Sequence, residues 1–191
     1  MQRQAVRRAT DQVSEQKLAV LLSALKRVVE AHVEGEVVEF GCYEGGSAVA
    51  MQELLKAHDY PKQLWLYDSF EGLPDKTAED ESIRGEQFQR GALKASKARL
   101  QRNFIKRDVR LAHVVQRWFF ELDSEDLPEQ IALAFLDSDY YESIMDSLKL
   151  IWPKLTAGSV VLVDDYHNAA LPGVKKAINE WAAQHGIEAA I

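Results

Sequence analysis

One cysteine, Cys42, among 191 residues excludes an intramolecular disulfide and any cysteine-built zinc site. That scarcity fits a reducing, cytoplasmic setting. With five prolines there is no proline-rich linker, and no low-complexity tract or internal repeat interrupts the chain. No apolar run approaches the length of a membrane span. Arg3, Arg7 and Arg8 near the N-terminus are not followed by a secretory apolar region, so this start reads as a solvated helix end. Positive charge is also short: 23 Lys and Arg stand against 30 Asp and Glu, a net charge of −7. The deficit disfavours nucleic acid and anionic membrane as partners. A small molecule is the expected partner, with a homo-oligomer left open.

What is present is ordinary in amount and ordered in pattern. Hydrophobic residues make up 47% and charged residues 28%, the balance of a globular domain, and the length suits one domain over residues 1–191. Leu18, Leu21, Leu22, Leu25, Val28 and Val29 recur at helical spacing, predicting an amphipathic helix over residues 13–32. It forms most of an N-terminal helical segment, residues 1–33. Residues 36–40 follow as a strand, then a glycine turn from Gly41 to Ser47, then a helix over 48–57. Residues 63–67 predict a second strand ending at Asp68. Residues 76–103 are charged with few apolar anchors, a polar loop and then a helix, and read as a candidate lid or acceptor segment. A third strand is expected over 111–115, a fourth over 131–136, a helix over 141–152 stopped by Pro153, and a fifth strand opened by Gly158. Val174, Ala177, Ile178, Trp181 and His185 line a last helix, and residues 187–191 have room for one further strand. Strand and helix alternate throughout, so the expected fold is α/β: a Rossmann-like, doubly wound, mostly parallel sheet with helices on both faces.

The chemistry concentrates where those strands end. An apolar run, Ala132 to Leu136, ends in Asp137-Ser138-Asp139, and a second, Val160 to Val163, ends in Asp164-Asp165. As neighbouring parallel strands they would deliver four carboxylates to the carboxyl edge, where open α/β sheets bind ligands. Such a crowd needs compensation, and a hard divalent cation such as Mg²⁺ suits oxygen donors. Asp137, Asp164 and Asp165 are the candidate ligands. Asp139 is left near the cation as a candidate general base, although an aspartate there could instead cap the following helix. His167 is the alternative base, and His32, His58, His113 and His185 look structural or exposed.

The glycine turn Gly41-x-x-x-Gly45-Gly46 lets backbone approach a ligand closely, and neither the dinucleotide pattern nor a P-loop is present. A plain tight turn would look the same. Glu39, two residues earlier, could accept hydrogen bonds from an ammonium group, and Asp68 could accept them from ribose hydroxyls. Trp118 and Phe119 could stack on an adenine.

Taken together, Glu39-Phe40-Gly41-x-x-x-Gly45-Gly46-Ser47, Asp68-Ser69-Phe70-Glu71-Gly72-Leu73-Pro74, Leu136-Asp137-x-Asp139-x-Tyr141-Glu142-Ser143 and Val163-Asp164-Asp165-Tyr166 resemble the macrocin O-methyltransferase family over residues 37–186. These are class I S-adenosylmethionine-dependent enzymes that methylate sugar hydroxyls of natural products. The resemblance implies S-adenosylmethionine at Glu39, Gly41, Gly45, Gly46, Ser47, Asp68, Ser69 and Trp118, with Glu39 toward the methionine end and Asp68 toward the ribose. It implies Mg²⁺ at the positions of Asp137, Asp164 and Asp165, and a base at that of Asp139. The family usually has glycine where this chain has Ser138, and the class normally ends in a sixth and an antiparallel seventh strand. Two readings from other classes stand beside it: a metal-dependent hydroxylase of the cephalosporin or rhamnosyl type, and a non-catalytic S-adenosylmethionine-binding protein.

Overall fold

Five strands run parallel in the order β3-β2-β1-β4-β5. The computed structural model describes residues 13–188. The strands are β1 (Glu36–Phe40), β2 (Leu64–Asp68), β3 (His113–Gln116), β4 (Ile131–Leu136) and β5 (Leu155–Val163). The helices are α1 (Glu15–Glu30), α2 (Gly46–Ala57), α3 (Lys97–Lys106), α4 (Tyr141–Ile151) and α5 (Pro172–His185). The order reverses between β1 and β4, and in open parallel sheets that crevice is where ligands bind. Among the described residues no helix is long and apolar enough to cross a membrane.

The central strands are apolar on both faces because both are covered. Val37, Leu64, Leu66, Leu133 and Phe135 pack with Leu18, Leu21, Leu25, Met51, Leu55, Leu100 and Phe104 of α1 to α3. Val38, Phe40, Tyr67, Ala134 and Leu136 face Ile144, Leu148, Val174, Ala177 and Trp181 of α4 and α5. At about 25 cal/mol per Å² of apolar surface, these two layers dominate the favourable side of folding.

Two expectations need correction. The fifth strand begins at Leu155, three residues before Gly158. Ile131 pairs with Leu155 but Leu133 pairs with Val160, so β5 bulges between these points. Gly158, at φ +83°, supplies a left-handed residue within that bulge. The third strand starts at His113 rather than 111, because its pairing with β2 starts at Trp65. The further strand expected over 187–191 falls in part outside the described residues, and Ile187 and Glu188 carry no regular structure.

Candidate active site

The carboxyl edge is built by ladder hydrogen bonds that continue one residue past the strands. Gly41 N donates to Tyr67 O, Asp137 N to Phe40 O and Asp164 N to Leu136 O, each at 2.9 Å. These bonds fix Gly41, Asp137 and Asp164 side by side. They border a cleft of about 390 Å³ lined also by Asp68, Ser69, Trp118, Asp139 and Asp165. A volume of that order suits a small organic ligand.

On the β1 and β2 side, acids are held by hydrogen-bond donors. Asp68 accepts from Tyr43 N at 2.9 Å and Phe70 N at 2.7 Å. Burial raises its pKa and these bonds oppose the rise. Glu39 lies fully buried behind the turn and accepts a hydrogen bond from Ser47 Oγ on the first turn of α2. Its other oxygen, Oε2, has no partner among the described residues. Burial, reinforced by the charge of Asp68 and opposed by the Ser47 bond, pushes the Glu39 carboxyl up to about 8. Glu39, Gly45, Gly46 and Ser47 do not line this cleft themselves, whereas Gly41 and Tyr43 of the same turn do. Gly45 caps α2 at φ +82° without a side-chain cap, so the first N–H groups of that helix are available to a ligand. Cys42 is a buried filler, its thiol pushed up first by burial and then by Asp68 and Glu39.

Gly41 shows how tightly the two sides meet. At φ +84°, a Cβ there would stand 2.0 Å from the carbonyl oxygen of Asp137, so no other residue fits without moving the backbone.

On the β4 and β5 side the acids face one another. Oxygen atoms of Asp137, Asp164 and Asp165 lie within 4.8 Å of each other. Asp137 is driven well above the usual carboxylate range by burial first and then by Asp139, Asp164 and Asp165; Asp139 is raised by burial and then by Asp165 and Asp164, with Lys17 opposing. The one cation in contact with this group among the described residues is Lys17 of α1, whose Nζ stands 2.7 Å from both Asp164 Oδ1 and Asp165 Oδ1. Burial alone would lower the Lys17 pKa, but its bonds to the two aspartates and their charges raise it. One positive charge beside three clustered carboxylates, with Asp139 close by, leaves a deficit. The donor set therefore fits a hard divalent cation held by Asp137, Asp164 and Asp165.

Asp139 does not cap α4. Its backbone is left-handed at φ +57°, and the N-cap residue is Tyr140, whose side chain makes no capping bond. Tyr141 N instead donates to Asp80 Oδ1 at 2.8 Å, across 61 residues of chain. Asp80, fully buried, also accepts from Thr77 N and Oγ1. Segment 76–103 is tied down further where Tyr140 Oη donates to Phe88 O and Ser82 Oγ to Ala169 O. Thr77, Asp80, Phe88 and Leu93 line the cleft, so this segment forms its wall beside α4. Ser138 is accommodated because the left-handed residue is Asp139, and its buried hydroxyl lies 3.4 Å from that of Ser147.

His167 is exposed, packs against Tyr166 and borders a shallow depression with Lys175 and Asn179 that meets the cleft at Asn168; His167 itself does not line the cleft. Trp118 lines the cleft and stacks with Phe120 at 6.1 Å. Phe119 also reaches it, but its ring meets Phe40 edge-on at 5.3 Å and is partly a core residue. Tyr43, Phe70, Asp139 and Asp165 at this edge all have left-handed backbone, φ +47° to +58°. Such conformations cost side chains energy and gather at functional sites.

Sequence reasoning missed Lys17 and Asp80. Lys17 had one local signal: a lysine in the first turn of a helix opposes the helix dipole, which favours acids there. Asp80 had none, since its helix partner is distant in sequence.

Comparison with known proteins identifies the family and the fold. A family model described as Macrocin-O-methyltransferase matches residues 4–191. The chain is 30% identical over 178 residues to demethyldecarbamoylnovobiocin O-methyltransferase of Streptomyces niveus, covering 90% of this chain and 67% of that protein. It is 29% identical to mycinamicin III 3''-O-methyltransferase of Micromonospora griseorubida, covering 92% of this chain and 71% of that one. Among solved structures, the O-methyltransferase NovP superposes with a TM-score of 0.83 at 28% identity, over 94% of this chain and 76% of NovP. A calicheamicin methyltransferase, at TM-score 0.77 and 24% identity over 93% of this chain and 76% of its own, shares the fold.

Proposed function

The chain belongs to the macrocin O-methyltransferase family, and from that premise we propose that it methylates a hydroxyl of a sugar or other small secondary metabolite in a Mg²⁺-dependent reaction. It is an S-adenosylmethionine-dependent O-methyltransferase. The observation that carries the finer reading is the pairing, across one switch-point crevice, of a charge-deficient aspartate cluster with a buried glutamate whose second oxygen has no partner.

Each residue then has a task its surroundings suit. Glu39 Oε2 accepts from the ammonium of the methionine moiety, which relieves a buried, otherwise unpaired carboxylate. Asp68 keeps lone pairs free beyond its two backbone bonds and accepts from the ribose. The close backbone at Gly41, the first turn of α2 at Gly45, Gly46 and Ser47, and Ser69 shape the cofactor cradle, with Trp118 against the adenine. Asp137, Asp164 and Asp165 hold the cation, which when bound polarises the acceptor hydroxyl and lowers its pKa. Asp139, raised in pKa by burial and then by Asp165 and Asp164, would accept the hydroxyl proton, and the cleft wall around Asp80 and Phe88 would position the acceptor toward the cofactor. The relatives named for novobiocin and mycinamicin support a glycosylated acceptor. The lone buried Cys42 supports a cytoplasmic setting.

The test combines binding with turnover. Calorimetric titration with S-adenosylhomocysteine should give saturable heat, and labelled methyl transfer to a panel of glycosylated natural products should stop on adding EDTA and return with Mg²⁺. Transfer indifferent to EDTA would sink the metal reading while leaving the methyltransferase intact.

A further inference from the structure

Lys17 lies outside every motif that defines the site, yet among the described residues it is the cation in contact with the acids. It projects from the third residue of α1 and sits 2.7 Å from one oxygen each of Asp164 and Asp165. Its side chain is 43% exposed, while those of the two aspartates are 11% and 16% exposed. The ammonium thus closes the pair from the solvent side. The helix it comes from is anchored independently, by Leu18, Leu21 and Leu25 in the core. A long, flexible stem can therefore withdraw into water without disturbing the helix.

The same two carboxylates belong to the three whose oxygens lie within 4.8 Å. Mg²⁺ draws oxygen ligands to about 2.0–2.1 Å and demands near-octahedral placement. An ammonium holding those carboxylates fixes their orientation for its own bonds and adds a like charge at close range. We propose that Lys17 is a tethered counter-cation that competes with Mg²⁺ for Asp164 and Asp165, and that metal loading displaces its ammonium from the carboxyl edge. The inference rests on reading Asp137, Asp164 and Asp165 as the metal site. It gives the metal-free chain a way to hold its acids together, at the expense of metal affinity.

The experiment is a Mg²⁺ titration by calorimetry on the full chain and on Lys17→Met and Lys17→Arg, with melting temperatures measured with and without Mg²⁺. Lys17→Met should bind Mg²⁺ about tenfold more tightly, equivalent to about 1.4 kcal/mol. It should melt lower than the parent without metal and gain more from saturating Mg²⁺. Lys17→Arg, which keeps the charge, should bind like the parent. Equal or weaker Mg²⁺ binding by Lys17→Met overturns the competition and leaves the metal site standing. If none of the three proteins binds Mg²⁺, the metal reading falls, and the competition with it.

Discussion

The two halves of the carboxyl edge handle carboxylates in opposite ways. Beside β1 and β2, Asp68 and Glu39 are held by donors of the protein itself: the N–H groups of Tyr43 and Phe70 and the hydroxyl of Ser47. Beside β4 and β5, Asp137, Asp164 and Asp165 gather with Asp139 and face mainly one another, with Lys17 the one cation against them among the described residues. The first half is organised by the protein's own donors and, among the described residues, leaves Glu39 Oε2 free to accept one more. The second is short of positive charge. Hydrogen bonds suit recognition of an organic molecule with fixed donors, whereas a charge deficit suits an ion.

The strongest way to break the contrast is Asp164→Ala. It should abolish metal-dependent methyl transfer yet leave S-adenosylhomocysteine binding largely intact, as read by calorimetry. Comparable loss of both would mean that the halves are not separable. Asp139→Asn comes next and should lower turnover by about 10²–10⁴-fold with Mg²⁺ affinity little changed. A normal rate would remove Asp139 as the base.

Glu39→Gln probes the other half and should weaken S-adenosylhomocysteine binding by about 10–100-fold, the range for losing a charged hydrogen bond. It also predicts a pH effect. The folded pKa of about 8 lies above the ordinary 4.5, so the protonated acid stabilises the ligand-free fold fully below the lower value. That contribution is lost as pH rises through the upper one. Thermal melts across this window should show the parent losing stability relative to Glu39→Gln. Parallel curves would mean that the carboxyl is not held protonated.

The smallest effect expected on chemistry, though not on folding, is at the seam. Gly41→Ala forces a Cβ toward Asp137 O in a left-handed conformation. A cost of about 2 kcal/mol corresponds to a melting point lower by about 4–8 °C for a domain this size. An unchanged melting point would show that the halves can slide apart.

Much of this was legible in the sequence because it is local. Buried strands such as Ile131–Leu136 are fully apolar, the acids sit immediately after them, and Gly41 stands in a glycine turn directly after β1. What was illegible depends on chain brought from afar. Lys17 meets Asp165 across 148 residues, and Asp80 reaches the start of α4 from segment 76–103. The alternative reading of Asp139 as a cap fails for the same reason, since Asp80, a carboxylate distant in sequence, takes the Tyr141 N–H. Gly158 read as a strand opener because a bulge has no signature beyond the glycine it uses.

The left-handed aspartates, Asp139 and Asp165, set a limit on improving this protein by selection for heat resistance alone. Glycine or asparagine would rest more easily in that backbone, and stabilising changes are common where function has forced strain. A lineage screened only for survival on heating would tend to drift toward those residues. It would keep the sheet, the helices and the cleft while surrendering the acids the cleft was shaped around.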